Sequence, residues 1–459
     1  MHVTKDGGKT WANVTPKDMP DLGRVSQIDA SAFNTGGAYI AVKRPLMGDY
    51  APYIFKTTDY GKTWTKIVNG IRSDDYAHAV REDPTRQGLL YAATQHGVYY
   101  SYDDGANWQS LSLNLPDIPV SDLIVQGSDL AISTQGRGFY ILDNISPIRQ
   151  WSDAVASAPD AWLFAPSPAI RSTTGAAVTY WLRHPAKNVT MEILDSAGNV
   201  IRKYGPDTAG TPAADTATGG GRGQGGVNIA PPMTAGVNHA IWDLRYAPAV
   251  SFPGMVLWGG GTNGPSAAPG VYKVRLTVDG KSQTQPLVVK RNPAFDDVSN
   301  ADLKAQFALA IKLRDKVSEA NQAIIDIRNV RLQIADRLTK SQDGKLKEAA
   351  GRVAVHSKAV EEDVYQVQNQ SGQDPLNFPI KINNRLASLL SVVASGDGRP
   401  IGNAVPIFND LSAELKIQTD ALARVWKTDL VALNAELTRL GLTVVSPKCA
   451  GAPGCTFIP

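Results

Sequence analysis

The chain has 459 residues, 43% apolar and 19% charged, with 46 Lys plus Arg against 43 Asp plus Glu for a formal net charge of +3. That length predicts several domains, and the apolar content supplies several cores and excludes wholesale disorder. The near-cancelled charge excludes a protein built mainly to grip nucleic acid, and no run of about 18 apolar residues marks a transmembrane helix.

In chain order, the first third is set by an internal repeat. Ser/Thr-x-Asp-x-Gly-x-x-Trp occurs as Thr4, Asp6, Gly8, Trp11; as Thr57, Asp59, Gly61, Trp64; and as Ser101, Asp103, Gly105, Trp108. A weaker copy runs from Thr134 to Asp143 and lacks the Gly and Trp. The pattern is a hairpin turn: Asp accepts nearby backbone N–H groups, Gly takes positive φ, and Trp folds back to cover the turn. Strands such as Tyr53–Phe55 and Gly97–Tyr100 flank the copies. Short strands repeating at this spacing predict propeller blades over residues 1–148.

These copies resemble the Asp-box (BNR) propellers of sialidases, sortilins and bacterial proteins named glycosyl hydrolases. The resemblance implies that the boxes are structural turns on the blade periphery, not catalytic groups. Residues 1–146 supply roughly three blades, fewer than the four to eight of closed propellers. We therefore expect the missing blades to come from the rest of a longer chain, of which this is the C-terminal part, or from another subunit.

Residues 149–170 read as a connector holding Trp151, Trp162, Leu163 and Phe164. Alternating strands at Ala177–Leu182, Val189–Leu194, Val200–Lys203, His239–Leu244 and Gly270–Val278, and an Asp279-Gly280 hairpin into Gln283–Val289, predict an immunoglobulin- or fibronectin-III-like β-sandwich over 171–292. Two glycine-rich inserts, 205–235 and 257–269, read as mobile loops; the run Gly219–Gly226 lacks the helix and Lys of a phosphate cradle.

From 297 the period turns helical. A capping box at Ser299–Asp302 opens a first helix reaching Leu338, followed by helices over about 345–369, 380–395 and 406–440. Together they predict an antiparallel four-helix bundle over 297–445 and a tail over 446–459. In that tail Cys449 and Cys455 are spaced for a small disulfide loop, which implies an oxidising compartment. Two thiolates without a nearby His are half a metal site, so no metal is expected, and no cofactor motif is visible. Met1–Trp11 shows no signal peptide, which fits a secreted, periplasmic or cell-surface protein only if the native N-terminus lies upstream.

The succession resembles the C-terminal half of a usually secreted bacterial family with a sortilin-type propeller, a fibronectin-like module and a helical bundle. The matching stretches are Gly136–Asp143, Asn238–Arg245 and Asp374–Pro379. The departure is from eukaryotic sortilins, whose cysteine-rich module two cysteines cannot build, so sorting function is not implied.

For chemistry, glycosidases need two carboxylates across a sugar bond, and sialidases use a Tyr with an arginine triad on the substrate. Asp74, Asp75, Tyr76, His78, Arg81, Glu82, Asp83, His96 and Arg137 fall on loops leading into the blades and are candidate ligand residues. The plainer reading makes them solvated loop residues and blade-to-blade hydrogen bonds. His2, His184, His239 and His356 are isolated. Two functions follow: a non-enzymatic binding or scaffolding protein whose propeller recognises a glycan or protein, or a glycosidase-like hydrolase whose site lies mainly on absent blades. A carboxylate pair in the channel favours the second; a funnel lined by aromatic and amide groups, or by a second chain, favours the first.

Overall fold

A computed structural model describes residues 1–206 and 230–448. The chain is a β plus α protein in two compact units, Met1–Ser157 and the chain from Ala158 onward. The expected Cys449–Cys455 loop and most of the first glycine-rich insert lie outside the described residues.

The first unit is a series of antiparallel sheets. β1 (His2–Val3) pairs with β2 (Ala12–Asn13), and β3 (Arg24–Ala30), β4 (Ala38–Arg44), β5 (Asp49–Thr57) and β6 (Thr65–Lys66) form a four-stranded meander. A second meander comprises β7 (Ala77–Glu82), β8 (Leu90–Thr94), β9 (Gly97–Ser101) and β10 (Gln109–Ser110). A three-stranded sheet of β11 (Val120–Gln126), β12 (Asp129–Thr134) and β13 (Phe139–Leu142) follows, then α1 (Ser146–Gln150) and α2 (Asp153–Ala156). β3 and β4 pack on β7, and β7 and β8 pack on β11, so the first strands of successive sheets lie side by side. Ile54, Ala77, Val80, Leu90 and Trp108 share the apolar core between the two meanders.

The repeated turns have one hydrogen-bond pattern. Thr57 Oγ1 donates to Asp59 Oδ1 (2.9 Å) and accepts the Gly61 N–H (2.9 Å), while Asp59 accepts the Thr63 N–H (2.9 Å) and hydroxyl (2.7 Å). The first turn repeats this with Asp6 and Thr10, and the third with Asp103 and Asn107. The residue just before Trp is thus part of the turn. Each later Trp reaches back to the preceding copy: Trp64 Nε1 donates to Val14 O (2.8 Å), and Trp108 Nε1 to Ile67 O (2.9 Å). Val14 and Ile67 each lie three residues beyond a repeat Trp, so the link has a fixed register.

In the second unit, β14 (Ala161–Leu163) and β15 (Ala169–Ile170) come from the stretch expected to be a connector. β14 pairs with β16 (Ala176–Leu182), which pairs with β19 (Gly236–Trp242). β15 runs parallel to β21 (Lys281–Lys290), completing a five-stranded sheet with β17 (Val189–Leu194), β18 (Val200–Tyr204) and β20 (Gly270–Val278). The connector reading fails from Ala161 because Ala161, Leu163 and Ala169 are core residues of these sheets, and buried backbone needs ladder partners. Both sheets bury Tyr180, Met191, Trp242, Val274 and Leu287 in one core.

The helices are α3 (Asn300–Lys340), α4 (Gly344–Val364), α5 (Ile382–Val393), α6 (Ala404–Lys427) and α7 (Asp429–Arg439). The capping box is formed: Ser299 Oγ accepts the Asp302 N–H and Asp302 accepts the Ser299 N–H, both 3.1 Å. The expected fourth helix is two. Thr428, at φ −112° and ψ −65°, departs from helical dihedrals between α6 and α7. The second helix stops at Val364 because Tyr365 is extended and packs its ring edge-on against Phe252, centroids 5.1 Å apart.

The second glycine-rich insert, expected as a loop, packs against α5. Trp258 exchanges two hydrogen bonds with Asn384, its N–H to Oδ1 (2.7 Å) and its carbonyl from Nδ2 (2.8 Å). A Cβ on Gly260 would fall 2.7 Å from Ser388 N, so glycine here permits close approach to α5. No described helix is long and apolar enough to cross a membrane.

Candidate functional site

The side-by-side first strands are tied by polar side chains. Ser26 Oγ donates to His78 O (2.7 Å), Gln27 Oε1 accepts the Val80 N–H (3.1 Å), and Asp29 Oδ2 accepts the Glu82 N–H (2.9 Å). Ser26, Gln27 and Asp29 of β3 thus satisfy backbone groups of alternate residues along the free edge of β7. Arg81 continues the link: Nη1 meets Asp29 Oδ1 (3.3 Å), Nη2 meets Asp122 Oδ1 on β11 (3.2 Å), and Nε donates to Leu123 O (2.5 Å). Burial raises the Asp29 carboxyl above the ordinary carboxylate range, against the Glu82 N–H and Arg81, which lower it.

At the end of these strands away from the Asp turns lies a second cluster. Lys43 Nζ is 3.0 Å from His78 Nδ1, and His78 Nε2 is 3.3 Å from Gln95 Oε1. The His78 ring packs on Tyr76 (5.0 Å) and Tyr76 on Tyr50 (6.2 Å), making a row of flat groups. Burial, then the Lys43 charge, lowers the His78 imidazole. Burial, then Arg24, lowers the Lys43 amine.

Tyr76, His78 and Asp75 come together here, and His96 lies alongside. Asp75 is fully buried and its Oδ1 accepts the His96 N–H (2.9 Å), while the His96 ring meets Asp117 (2.8 Å). Asp74 is exposed and held by Arg72 (2.8 Å). His78, Arg81 and Glu82 lie within β7 rather than on loops, because the ladder to β8 already begins at Ala77 opposite Thr94. Glu82 is buried under Ser31 (2.5 Å) and the Gly88 N–H (3.1 Å), and fully buried Asp83 takes Arg149 (2.8 Å). Arg137 stands apart, exposed between β12 and β13. Among the described residues no group of three or more His, Cys, Asp or Glu is placed to hold a metal ion.

Sequence reasoning missed Asp29, Lys43, Gln95 and Asp122. Lys43 reads as the polar end of the apolar run Tyr39–Val42. Gln27 and Asp29, alternating on a strand between apolar residues, were the available signal of a polar inner edge. A separate cavity of about 410 Å³ lies by the second and third turns, lined by Lys56, Thr65, Lys66, Asn69 and Asp104, with Lys56 paired to Asp104.

No protein-family model matches the chain, and no curated protein matches it. The solved structures it is similar to include β-propeller proteins. YCF48 from Cyanidioschyzon merolae is 18% identical with a TM-score of 0.24, over 41% of this chain and 58% of that one. YCF48 bound to D1 peptide is 15% identical with a TM-score of 0.25, over 43% and 59%. The GH74 xyloglucanase from Xanthomonas campestris is 12% identical with a TM-score of 0.24, over 61% and 49%. The chain therefore spans less than two thirds of the length of each.

Proposed function

We propose that the chain is a non-enzymatic binding or scaffolding protein of the bacterial envelope or secreted fraction. In this reading the first unit is a run of Asp-box propeller blades that recognises a glycan or protein, with the remaining blades supplied by a longer chain or another subunit. The second unit, a fibronectin-like sandwich with a helical bundle, acts as spacer and docking surface.

One observation carries the reading. The acidic groups of the candidate face have protein partners: Asp74 has Arg72, buried Asp75 has the His96 N–H on Oδ1, Asp117 has His96, and Asp29 and Asp122 share one guanidinium. What remains is a phenol, imidazole, amide and amine surface, which suits recognition more than acid–base cleavage. The test is release of nitrophenol from a panel of nitrophenyl glycosides, run beside a glycan and peptide array. The expected result is no turnover, with array binding lost in Tyr76→Ala. Turnover abolished by Asp29→Asn or Asp122→Asn overturns the reading in favour of a hydrolase.

A further inference from the structure

Lys43 and Arg24 are directly paired across β4 and β3, so two cations sit on one face of the sheet. Among the described residues no carboxylate forms an ion pair with either, while the neighbouring Arg44 has Asp49 at 3.5 Å. Lys43 instead donates to His78 Nδ1. An ammonium has no acceptor, so His78 must be the neutral tautomer carrying its proton on Nε2, where it donates to Gln95. Asp75, whose charge acts on His78, is fully buried, accepts the His96 N–H, and forms no ion pair with Lys43 or Arg24. Burial first, and then the Arg24 charge beside it, lowers the Lys43 amine.

Beside this charge stand Tyr76, half-buried, and Tyr50, 53% exposed. Flat phenol rings suit the C–H face of a sugar, and Gln95 and the tyrosine hydroxyls suit its hydroxyl groups. An extended peptide is less well served. It would add to the free edge of β7, yet His78 O, Val80 N–H and Glu82 N–H on that edge are already taken by Ser26, Gln27 and Asp29.

We infer that Arg24 and Lys43, the latter positioned by His78 and both walled by Tyr50 and Tyr76, bind the carboxylate and ring of an acidic saccharide of the uronic acid class. The inference rests on the binding reading above and names its ligand. No bond is made or broken; the carboxylate takes the Lys43 and Arg24 donors, and the sugar face lies on the tyrosines.

The experiment is calorimetric titration of the full chain with trigalacturonate, with maltotriose as neutral control and pentaglutamate as acidic peptide control. Trigalacturonate is expected to bind, weaken as salt rises, and lose about tenfold or more in Lys43→Gln. Lys43→Arg should retain most of the binding, and Tyr76→Ala should lose it. Arg24→Gln, at an exposed position, serves as a second variant that leaves folding intact, and each variant's thermal midpoint is measured in parallel. Absence of trigalacturonate binding, or binding in Lys43→Gln and Arg24→Gln as tight as in the unaltered chain, overturns the inference. So does tighter binding of pentaglutamate with the same variant sensitivity, although the non-enzymatic binding reading then survives. Only glycoside turnover removes that reading itself.

Discussion

The two units handle buried charge differently. In the first, the buried acids Asp75, Glu82 and Asp83 are held largely by backbone N–H groups and side chains of adjoining loops and strands. In the second, Arg171, 2% exposed, reaches Asp397 (2.8 Å), Gln306 Oε1 (3.1 Å) and the carbonyls of Ser266 and Ala267, joining the β-sheet segment to the helices across more than 200 residues of sequence. Glu361, 3% exposed, likewise takes Arg328 (2.9 Å) and Arg331, and Arg328 also lies over the Phe252 ring (4.7 Å). The first unit thus repeats a local turn device and adds ion pairs between its sheets, while the second joins its sheets to its helices through the Arg171 cluster.

The largest expected effect follows from that difference. Arg171→Ala leaves Asp397 buried without its partner and should cost about 3–5 kcal/mol, read by chemical denaturation of the full chain. The double variant Arg171→Met, Asp397→Leu should recover much of the loss, because neither charge then needs a partner. A single-variant loss below about 1 kcal/mol would show the pair to be dispensable and break the contrast.

Next come the three tryptophans, alike in sequence and unlike in surroundings. Trp108 is 4% exposed and Trp11 61% exposed, with its Nε1 turned to Gly8 O of its own turn. Trp108→Ala should cost about 3–5 kcal/mol. Trp11→Ala should stay within about 0.5 kcal/mol. Equal losses would mean that the Trp acts inside its own turn rather than between copies.

The glycines sharpen the same point at smaller scale. Gly8 and Gly105 both have positive φ, +92° and +86°, but a Cβ on Gly105 would meet Ile67 Cδ1 at 2.4 Å, while one on Gly8 meets only Trp11 at 3.9 Å. Gly105→Ala should therefore be the worse of the two by about 1–3 kcal/mol, measured as the difference in unfolding free energy.

The smallest effect is the pH response. His78 has a folded pKa below its ordinary 6.5, so the unfolded chain takes up the proton first and stability falls as pH drops below that value. The thermal midpoint should fall between pH 7.5 and 5.5, and by less in His78→Gln. The turn carboxylates act in a lower window. Hydrogen bonds from Thr63 and Thr57 hold Asp59 down to about 2, so its contribution is complete above about 3.8 and is lost as pH falls toward 2. A carboxyl titration by NMR that puts Asp59 near 4 would remove this window.

Much of this was legible because it is local. The Ser/Thr-x-Asp-x-Gly turn closes within eight residues, the Ser299–Asp302 box within four, and Asp279-Gly280 joins Val278 to Lys281 directly. The polar candidates at Asp75, Tyr76, His78 and His96 were visible as a cluster of titratable residues, but their partners were not. Lys43 reaches His78 across 35 residues, and Arg81 reaches Asp29 and Asp122 across 52 and 41. The glycine-rich insert at 257–269 read as mobile because composition records freedom of the chain and not what lies against it; Asn384 and α5 turn the same glycines into points of close contact.

By itself, then, the sequence determined the repeated turn, its hydrogen-bonding residues, the alternation of the strands and the helical stretches, all of which depend on neighbours a few positions away. Tertiary structure alone decided which Trp is buried, that Ala161–Leu163 is a strand, and that Lys43 faces His78. Each of these is set by packing against residues far along the chain, where burial and the need to satisfy backbone groups outweigh local preference.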